Sequence, residues 1–249
     1  MPGYLWANGT PLDVQLVVFD KDDTLLDYRA SWLPALRECA EAVAIAAGEP
    51  ALQPALLKAG GWQDTEQGPA VAAESIMYSG TNLELAQHWI DTQPMVAAHW
   101  ADAAALHAEM QAVFLKATVR DATPFGTVQR ALEDLRAAGV KLAVVTNKES
   151  RYSATVLDAH RLAPLFDRVI SGDSLPTKKP DPAGIHSCLT QFGAVAERAL
   201  FVGDSSIDVA TARNAGVAVW ALPYGYNMGQ PIERAHPDRV ITDFSALIA

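Results

Sequence analysis

The run Leu16-Val17-Val18-Phe19, followed at once by Asp20-Lys21-Asp22-Asp23, most restricts what this chain can fold into. A short apolar run rich in β-branched residues reads as a buried strand. The chain then sets four carboxylates within eight positions, Asp20, Asp22, Asp23 and Asp27. A strand that stops at Asp-x-Asp delivers two carboxylates to the carboxyl end of a sheet, the edge where open α/β sheets bind ligands. Carboxylates this close repel unless a cation or a shared proton relieves them. The economical assignment is a divalent metal, with one carboxylate as nucleophile and the other as proton carrier. The plainer alternative is an acidic turn that uses Asp for its side-chain hydrogen bonds.

The rest of the chain is long enough to bury a sizeable core around such an edge: 249 residues, half of them hydrophobic and 19% charged. A net charge of −10 argues against nucleic acid as the main partner, because phosphate backbones need a basic footprint. A small anionic substrate remains compatible if a metal and a few local cations offset the field. Cys39 and Cys188 have no metal-ligand spacing and are expected as two buried thiols. Met1 to Pro11 lacks the basic and apolar regions of a secretory signal, and no charge-free apolar run is long enough to span a bilayer. The expectation is a cytoplasmic protein without a membrane partner.

From Tyr28 to about Asp121 the sequence turns Ala-rich and helix-favouring. Ser31 to Ala47 and Leu83 to Lys116 read as helices joined by a Gly- and polar-rich passage around Gly60 to Gly80. Trp32, Trp62, Trp89 and Trp100 are expected to pack between these helices. His88, His99 and His107 do not fall on adjacent turns and are expected to be packed or solvated, not metal ligands. Between Tyr28 and Ala122 there are five Lys/Arg against eleven Asp/Glu, so few cations could face an anion.

Asp121 to Thr127 has breaker composition, and strand-helix alternation follows. A helix from Val128 closes at Gly139; Lys141 to Val145 is a strand ending in Thr146-Asn147; Arg151 to Leu162 is a helix and Arg168 to Ser171 a strand. Asp181 to Gly193 reads as a helix, Ala199 to Gly203 as a strand stopping at Asp204, then a helix to Ala215 before Gly216. Val217 to Leu222 is a further strand, with Val240-Ile241 a candidate for another. Alternation of this kind predicts an α/β fold: a Rossmann-like, doubly wound parallel sheet. The expected division is a core of residues 1–27 and 122–249 with an inserted helical domain of residues 28–121. Parallel strands present their carboxyl ends together, so Asp20 and Asp22, Thr146 and Asn147, and Asp204 and Asp208 should converge. The loop Thr177 to Pro182 adds Lys179, restricted to extended geometry by Pro180.

These four pieces, Asp20-Lys-Asp22-Asp-Thr24, Thr146-Asn147, Lys179 and Gly203-Asp204-Ser-Ser-Ile-Asp208, resemble in type and order the motifs of the haloacid dehalogenase superfamily. The likeness covers residues 16–27 and 124–246. Ser171 to Pro182, Phe201 to Ser205, Tyr224 to Gly229 and Pro237-Asp238 are similar to its phosphoglycolate-phosphatase branch. Asp23 stands where glycine is usual in that branch, and Lys21 where an apolar residue is usual. The insert occupies the place of the family's cap.

The resemblance implies a Mg²⁺-dependent phosphomonoester hydrolase acting on a small phosphorylated metabolite such as 2-phosphoglycolate. It implies metal ligands from the Asp20 carboxylate, the Asp22 carbonyl and Asp204, with Asp208 ligating or holding a metal-bound water. It implies Asp20 as nucleophile and Asp22 as general acid and base. Phosphoryl oxygens would be held by the Thr146 hydroxyl, the Asn147 amide and Lys179, with the cap closing over the substrate. Arg29 is the candidate for a substrate carboxylate, since arginine suits bidentate recognition. Pyrophosphate or nucleotide hydrolysis, a phosphomutase, a 2-haloacid dehalogenase and an inactive phosphate-binding module remain alternatives, as do monomer and homodimer.

Overall fold

Leu16–Phe19 is wholly buried along its length and forms the third strand of the chain. The computed structural model describes residues 4–7, 10–66, 68–72, 75–225 and 230–247; positions 226–229 of the Tyr224 to Gly229 motif lie outside them. In chain order, β1 (Tyr4–Ala7), β2 (Thr10–Asp13) and β3 (Leu16–Phe19) are followed by α1 (Tyr28–Ala46), α2 (Gln53–Ala59), β4 (Trp62–Thr65) and β5 (Gly68–Val71). Then come α3 (Ile76–Ser79), α4 (Asn82–Thr92), α5 (Pro94–His99), α6 (Ala103–Asp121), α7 (Val128–Ala137), β6 (Lys141–Val145), α8 (Ser150–Ala159) and β7 (Arg168–Ile170). The chain ends with α9 (Ala183–Phe192), β8 (Ala199–Gly203), α10 (Ser206–Ala215), β9 (Ala218–Ala221) and β10 (Arg239–Val240). It divides into two compact units, Met1–Asp27 with Pro124–Ala249, and Tyr28–Thr123.

The first unit is a six-stranded parallel sheet in the order β10-β9-β8-β3-β6-β7. Because strand side chains alternate between faces, Leu16, Val18, Ala143, Val145, Ala199, Phe201 and Val219 share one layer with Ile185 and Cys188 of α9 and Val209, Ala212 and Ala215 of α10. On the other face the Phe19 ring stacks on Phe244 at 5.8 Å and meets Phe166 edge-on at 6.1 Å. Register puts the chemistry at one edge. Phe19 is level with both Val144 and Val202, so Asp20 emerges between Val145 and Gly203, one residue short of Thr146 and Asp204. Gly139 and Gly216 take positive φ, 83° and 69°, just past α7 and α10, a left-handed turn that glycine makes without the strain a side chain brings.

The second unit is helical, as expected, with a correction inside it. Trp32 of α1 packs on Phe114 of α6, ring centroids 5.8 Å apart, and the Trp89 indole N–H donates to the Leu56 carbonyl at 3.0 Å. The helix anticipated from Leu83 to Lys116 is three helices. Thr81 and Glu84 form a capping box that starts α4, Pro94 cannot continue its hydrogen bonding, and the Asp102 carboxylate caps α6 by accepting from the Ala105 N–H at 2.9 Å. The passage from Gly60 to Gly80 contains an antiparallel hairpin, β4 with β5. Trp62 lies on it half-exposed, its indole donating to Asp64, whereas Trp32, Trp89 and Trp100 are buried. The β1–β2 hairpin was likewise not anticipated. α9 begins at Ala183, not Asp181, because the Asp181 carboxylate accepts from the Ala183 N–H and ends the preceding turn. Cys39 and Cys188 are buried free thiols. Among the described residues no helix is long and apolar enough to cross a membrane.

Candidate active site

The strand ends converge as the register requires. Lys179 is the hub. Its Nζ donates to Asp20 Oδ1 at 2.6 Å and to Asp208 Oδ1 at 2.7 Å. It arrives from the loop before α9, and its peptide bond to Pro180 is cis. Its backbone is held by a two-bond clamp: the Asn147 amide donates to the Lys179 carbonyl at 3.0 Å and accepts from the Lys179 N–H at 2.9 Å. The Asn147 side chain therefore positions Lys179 and leaves its own backbone N–H as the group available to a ligand. Thr146 is buried beside it, its hydroxyl accepting from the Lys148 N–H.

Asp208 is fixed by the start of α10. Its Oδ2 accepts from the Ser205 hydroxyl at 2.7 Å and from the Ser205 and Asp204 N–H groups, and the Asp208 N–H donates back to Ser205 Oγ at 3.3 Å, closing a capping box. Gly203 is required here: a Cβ would sit 2.6 Å from the Asp208 Cβ and Cγ. The Thr24 hydroxyl donates to Asp204 Oδ1 at 2.9 Å. Asp22 is bonded to the ammonium of Lys21, which is almost completely buried.

Among the described residues, Asp20, Asp204 and Asp208 form a group in which one carboxylate oxygen from each lies within 4.8 Å of the other two. Burial pushes the Asp20 carboxyl up to about 6; the Lys179 ammonium opposes this, and the charges of Asp208 and Asp22 add to it. Burial, then the charges of Asp208, Asp23 and Asp20, hold Asp204 well above the usual carboxylate range despite the Thr24 hydrogen bond. Lys179 is held above the ordinary lysine range: burial opposes its charge, and Asp20 and Asp208 outweigh it. Among the described residues, the carboxyl groups of Asp20, Asp22, Asp23, Asp204 and Asp208 gather at this edge with the buried amines of Lys21, Lys148 and Lys179, an excess of acidic over basic groups. Oxygen donors clustered with that excess suit a hard divalent cation, so the residues present fit the metal expected from the sequence.

The pattern of the haloacid dehalogenase-like hydrolases matches residues 14–216. The chain belongs to this family. It is 34% identical over 241 residues to the phosphoglycolate phosphatase of Vibrio cholerae, covering 94% of this chain and 96% of that protein. It is 46% identical to the phosphoglycolate phosphatase of Pseudomonas savastanoi pv. phaseolicola, but over 121 residues, 49% of this chain and 44% of the relative. The crystal structure of a predicted phosphoglycolate phosphatase from Haemophilus somnus 129pt superposes with a TM-score of 0.70 at 28% identity, covering 93% of this chain and 95% of that one. The chain is thus a phosphoglycolate-phosphatase-like hydrolase.

Of the two positions singled out in the sequence, Lys21 and Asp23, the backbone bears directly on the second. Asp23 has φ 56°, the left-handed region that glycine enters freely and Asp tolerates better than most residues. It is buried, and its charge bears on Asp204. Asp23→Gly is therefore expected to raise the stability of the metal-free protein by roughly 1 kcal/mol and to weaken divalent-cation binding. Thermal melts with and without Mg²⁺ measure both, and a lower metal-free Tm would contradict this account. Thr24 and Ser205 lie inside the motifs read from the sequence but were given no role there, and Lys148 directly follows Asn147 and was passed over. Arg29 is exposed in the first turn of α1.

Proposed function

We propose that this hydrolase is a Mg²⁺-dependent phosphomonoesterase that works through an aspartyl-phosphate on Asp20, with 2-phosphoglycolate as substrate. The observation that carries the reading is the placement of Asp20: a buried carboxylate at the end of the central strand, 2.6 Å from the Lys179 ammonium and with an oxygen within 4.8 Å of one from Asp204 and one from Asp208. The similarity to phosphoglycolate phosphatases supports the substrate.

The Asp20 and Asp204 carboxylates and the Asp22 carbonyl would hold Mg²⁺, with Asp208 as a further ligand or the partner of a bound water. When bound, the cation supplies charge neutralisation for the phosphate dianion and its nucleophile. Lys179 holds Asp20 Oδ1 in place, and an Asp20 oxygen attacks phosphorus to form the acyl-phosphate. The bond to the leaving oxygen breaks, and Asp22 gives that oxygen its proton. Asp22 then takes a proton from the water that attacks the intermediate, releasing phosphate and restoring Asp20. Charge on the equatorial phosphoryl oxygens is met by the Thr146 hydroxyl, the Asn147 N–H and Lys179. Arg29 is a candidate contact for the rest of the substrate.

Phosphate release from 2-phosphoglycolate should require Mg²⁺ and cease with a chelator. Ca²⁺ should bind without supporting turnover, because it accepts more oxygens in looser geometry and would occupy both Asp20 oxygens. Acid quenching in a single turnover should trap a hydroxylamine-sensitive acyl-phosphate. Equal turnover in Ca²⁺ and Mg²⁺, or release without an acyl-phosphate, would overturn this mechanism.

A further inference from the structure

A second polar groove lies on the parallel-sheet unit, and none of the reacting groups lines it. Its volume is about 860 Å³, and its walls are Arg168, Ala183, His186, Ser187, Thr190 and Gln191. Arg168 opens β7, the outermost strand of the sheet, level with Ala143 and so three residues short of Thr146. Strand side chains alternate, so Arg168 shares the face of Ile170, which α9 covers. The five α9 positions are three and four residues apart and form one face of that helix.

α9 holds the guanidinium in place. Nη2 of Arg168 donates to Ser187 Oγ at 3.0 Å, and Nη1 donates to Gln191 Oε1. Its charge, however, is unmatched. Among the described residues no carboxylate pairs with Arg168, and its buried Nε–H has no hydrogen bond. The adjacent Asp167 is taken by Lys141 at 2.8 Å and Arg136 at 3.6 Å. The rest of the lining adds donors. Gln191 meets Arg168 with its oxygen and keeps its NH₂ group, and Ser187 accepts from Arg168 and keeps its proton. The His186 ring has no hydrogen bond among the described residues, and the Thr190 hydroxyl is committed to the His186 carbonyl at 2.9 Å. No carboxylate lines the groove, although the chain has 29 Asp and Glu against 19 Lys and Arg.

We propose that the groove between β7 and α9 is a second anion site, taking a small molecule whose carboxylate or phosphate group pairs with Arg168. A half-buried guanidinium without a counter-charge is costly, and an oxyanion offsets that cost. Guanidinium groups suit carboxylates and phosphates alike, because both present paired oxygens to its fork of N–H donors. The volume falls in the range of small-molecule sites and exceeds what a bare ion fills. The inference does not rest on the phosphatase reading.

The full-length protein with Mg²⁺ would be titrated with succinate and with inorganic phosphate, followed by NMR shifts of backbone amides and histidine rings. Sub-millimolar binding is expected to move the amides of residues 168–170 and 186–191 and the His186 ring. A groove response to one of the two probes alone would uphold the site and show which group it takes. Arg168→Gln is expected to weaken this binding by roughly 10- to 100-fold, the effect of one charge-assisted contact. His186→Ala should weaken it less, and both variants should keep any phosphate-induced shifts at Thr146 and Asn147. Should Arg168→Gln fail to fold, His186→Ala, on the exposed side of α9, and the map of shifts still decide. An absence of shifts in the groove, shifts confined to the reacting edge, or groove binding that no folded variant weakens would overturn the proposal.

Discussion

Replacing Asp20 by asparagine is expected to lower turnover by roughly 10⁴-fold or more, as loss of a covalent nucleophile does, while making the metal-free protein more stable. The two effects share one cause. Asp20 is buried among Asp208, Asp22 and Asp204, and its carboxyl is pushed up to about 6 from an unfolded value near 3.8. A folded acid with a raised pKa binds its proton more tightly than the unfolded chain does. Stability should therefore rise as pH falls from about 6 toward 4, and ionised Asp20 costs roughly 3 kcal/mol above that window. Asparagine keeps the shape without the charge, so its metal-free melting temperature should exceed that of the wild type at neutral pH and lose most of this pH dependence. Mg²⁺ should stabilise the wild type more than the variant, since binding to the folded state alone raises its stability. Retention of activity within tenfold of wild type, or a metal-free Tm below it, would contradict the roles given to Asp20.

The sheet edge was legible because β3, β6 and β8 are short apolar runs that end in polar residues. Buried parallel strands leave that signature, and Asp20, Asp204 and Asp208, which follow from it, come together at one edge. The hairpins were not legible. β4 exposes Gln63, Asp64 and Thr65, so it lacks the alternation that marks a half-buried strand. The breaks that divide Leu83 to Lys116 were visible in principle, at Pro94 and at Asp102, but the helix-favouring composition around them outweighed two local stops. Within the site, residue identity could be read and side-chain allegiance could not. Nothing in Thr146-Asn147-Lys148 says that the asparagine amide holds the backbone of Lys179, or that the third residue is buried against the acidic edge. Those facts depend on a loop 32 residues away, and only tertiary structure joins the two. The unusual Asp23 was noticed as a charge; its positive φ gives glycine's place in that branch a reason that composition alone does not supply.

Lys179→Met should cause the largest loss of stability of any single change at this site. The ammonium group lies between Asp20 and Asp208, 2.6 Å and 2.7 Å from their oxygens, with all three side chains nearly inaccessible. Breaking a buried ion pair from one side strands the remaining charges, at a cost of roughly 3–5 kcal/mol. Here two carboxylates are stranded, and Asp20 loses the main influence that opposes its burial. The sign with pH follows from that. Lys179 is held above the ordinary lysine range, so its stabilising contribution is complete at neutral pH and is lost only as the solution becomes strongly alkaline. Removing it should leave a protein that regains stability on mild acidification, as Asp20 takes up a proton. Mg²⁺ should restore part of the lost stability by supplying positive charge among the same carboxylates. Turnover should remain depressed by roughly 10²–10³-fold at saturating Mg²⁺, because the cation does not replace a donor aimed at the phosphoryl oxygens. Asn147→Ala separates positioning from charge: it removes the clamp on the Lys179 backbone and keeps the ammonium group. It should lower activity with a much smaller loss of Tm than Lys179→Met. A Lys179→Met protein as stable as wild type without metal, or one whose turnover Mg²⁺ fully restores, would show that the ammonium group is not the hub of this site.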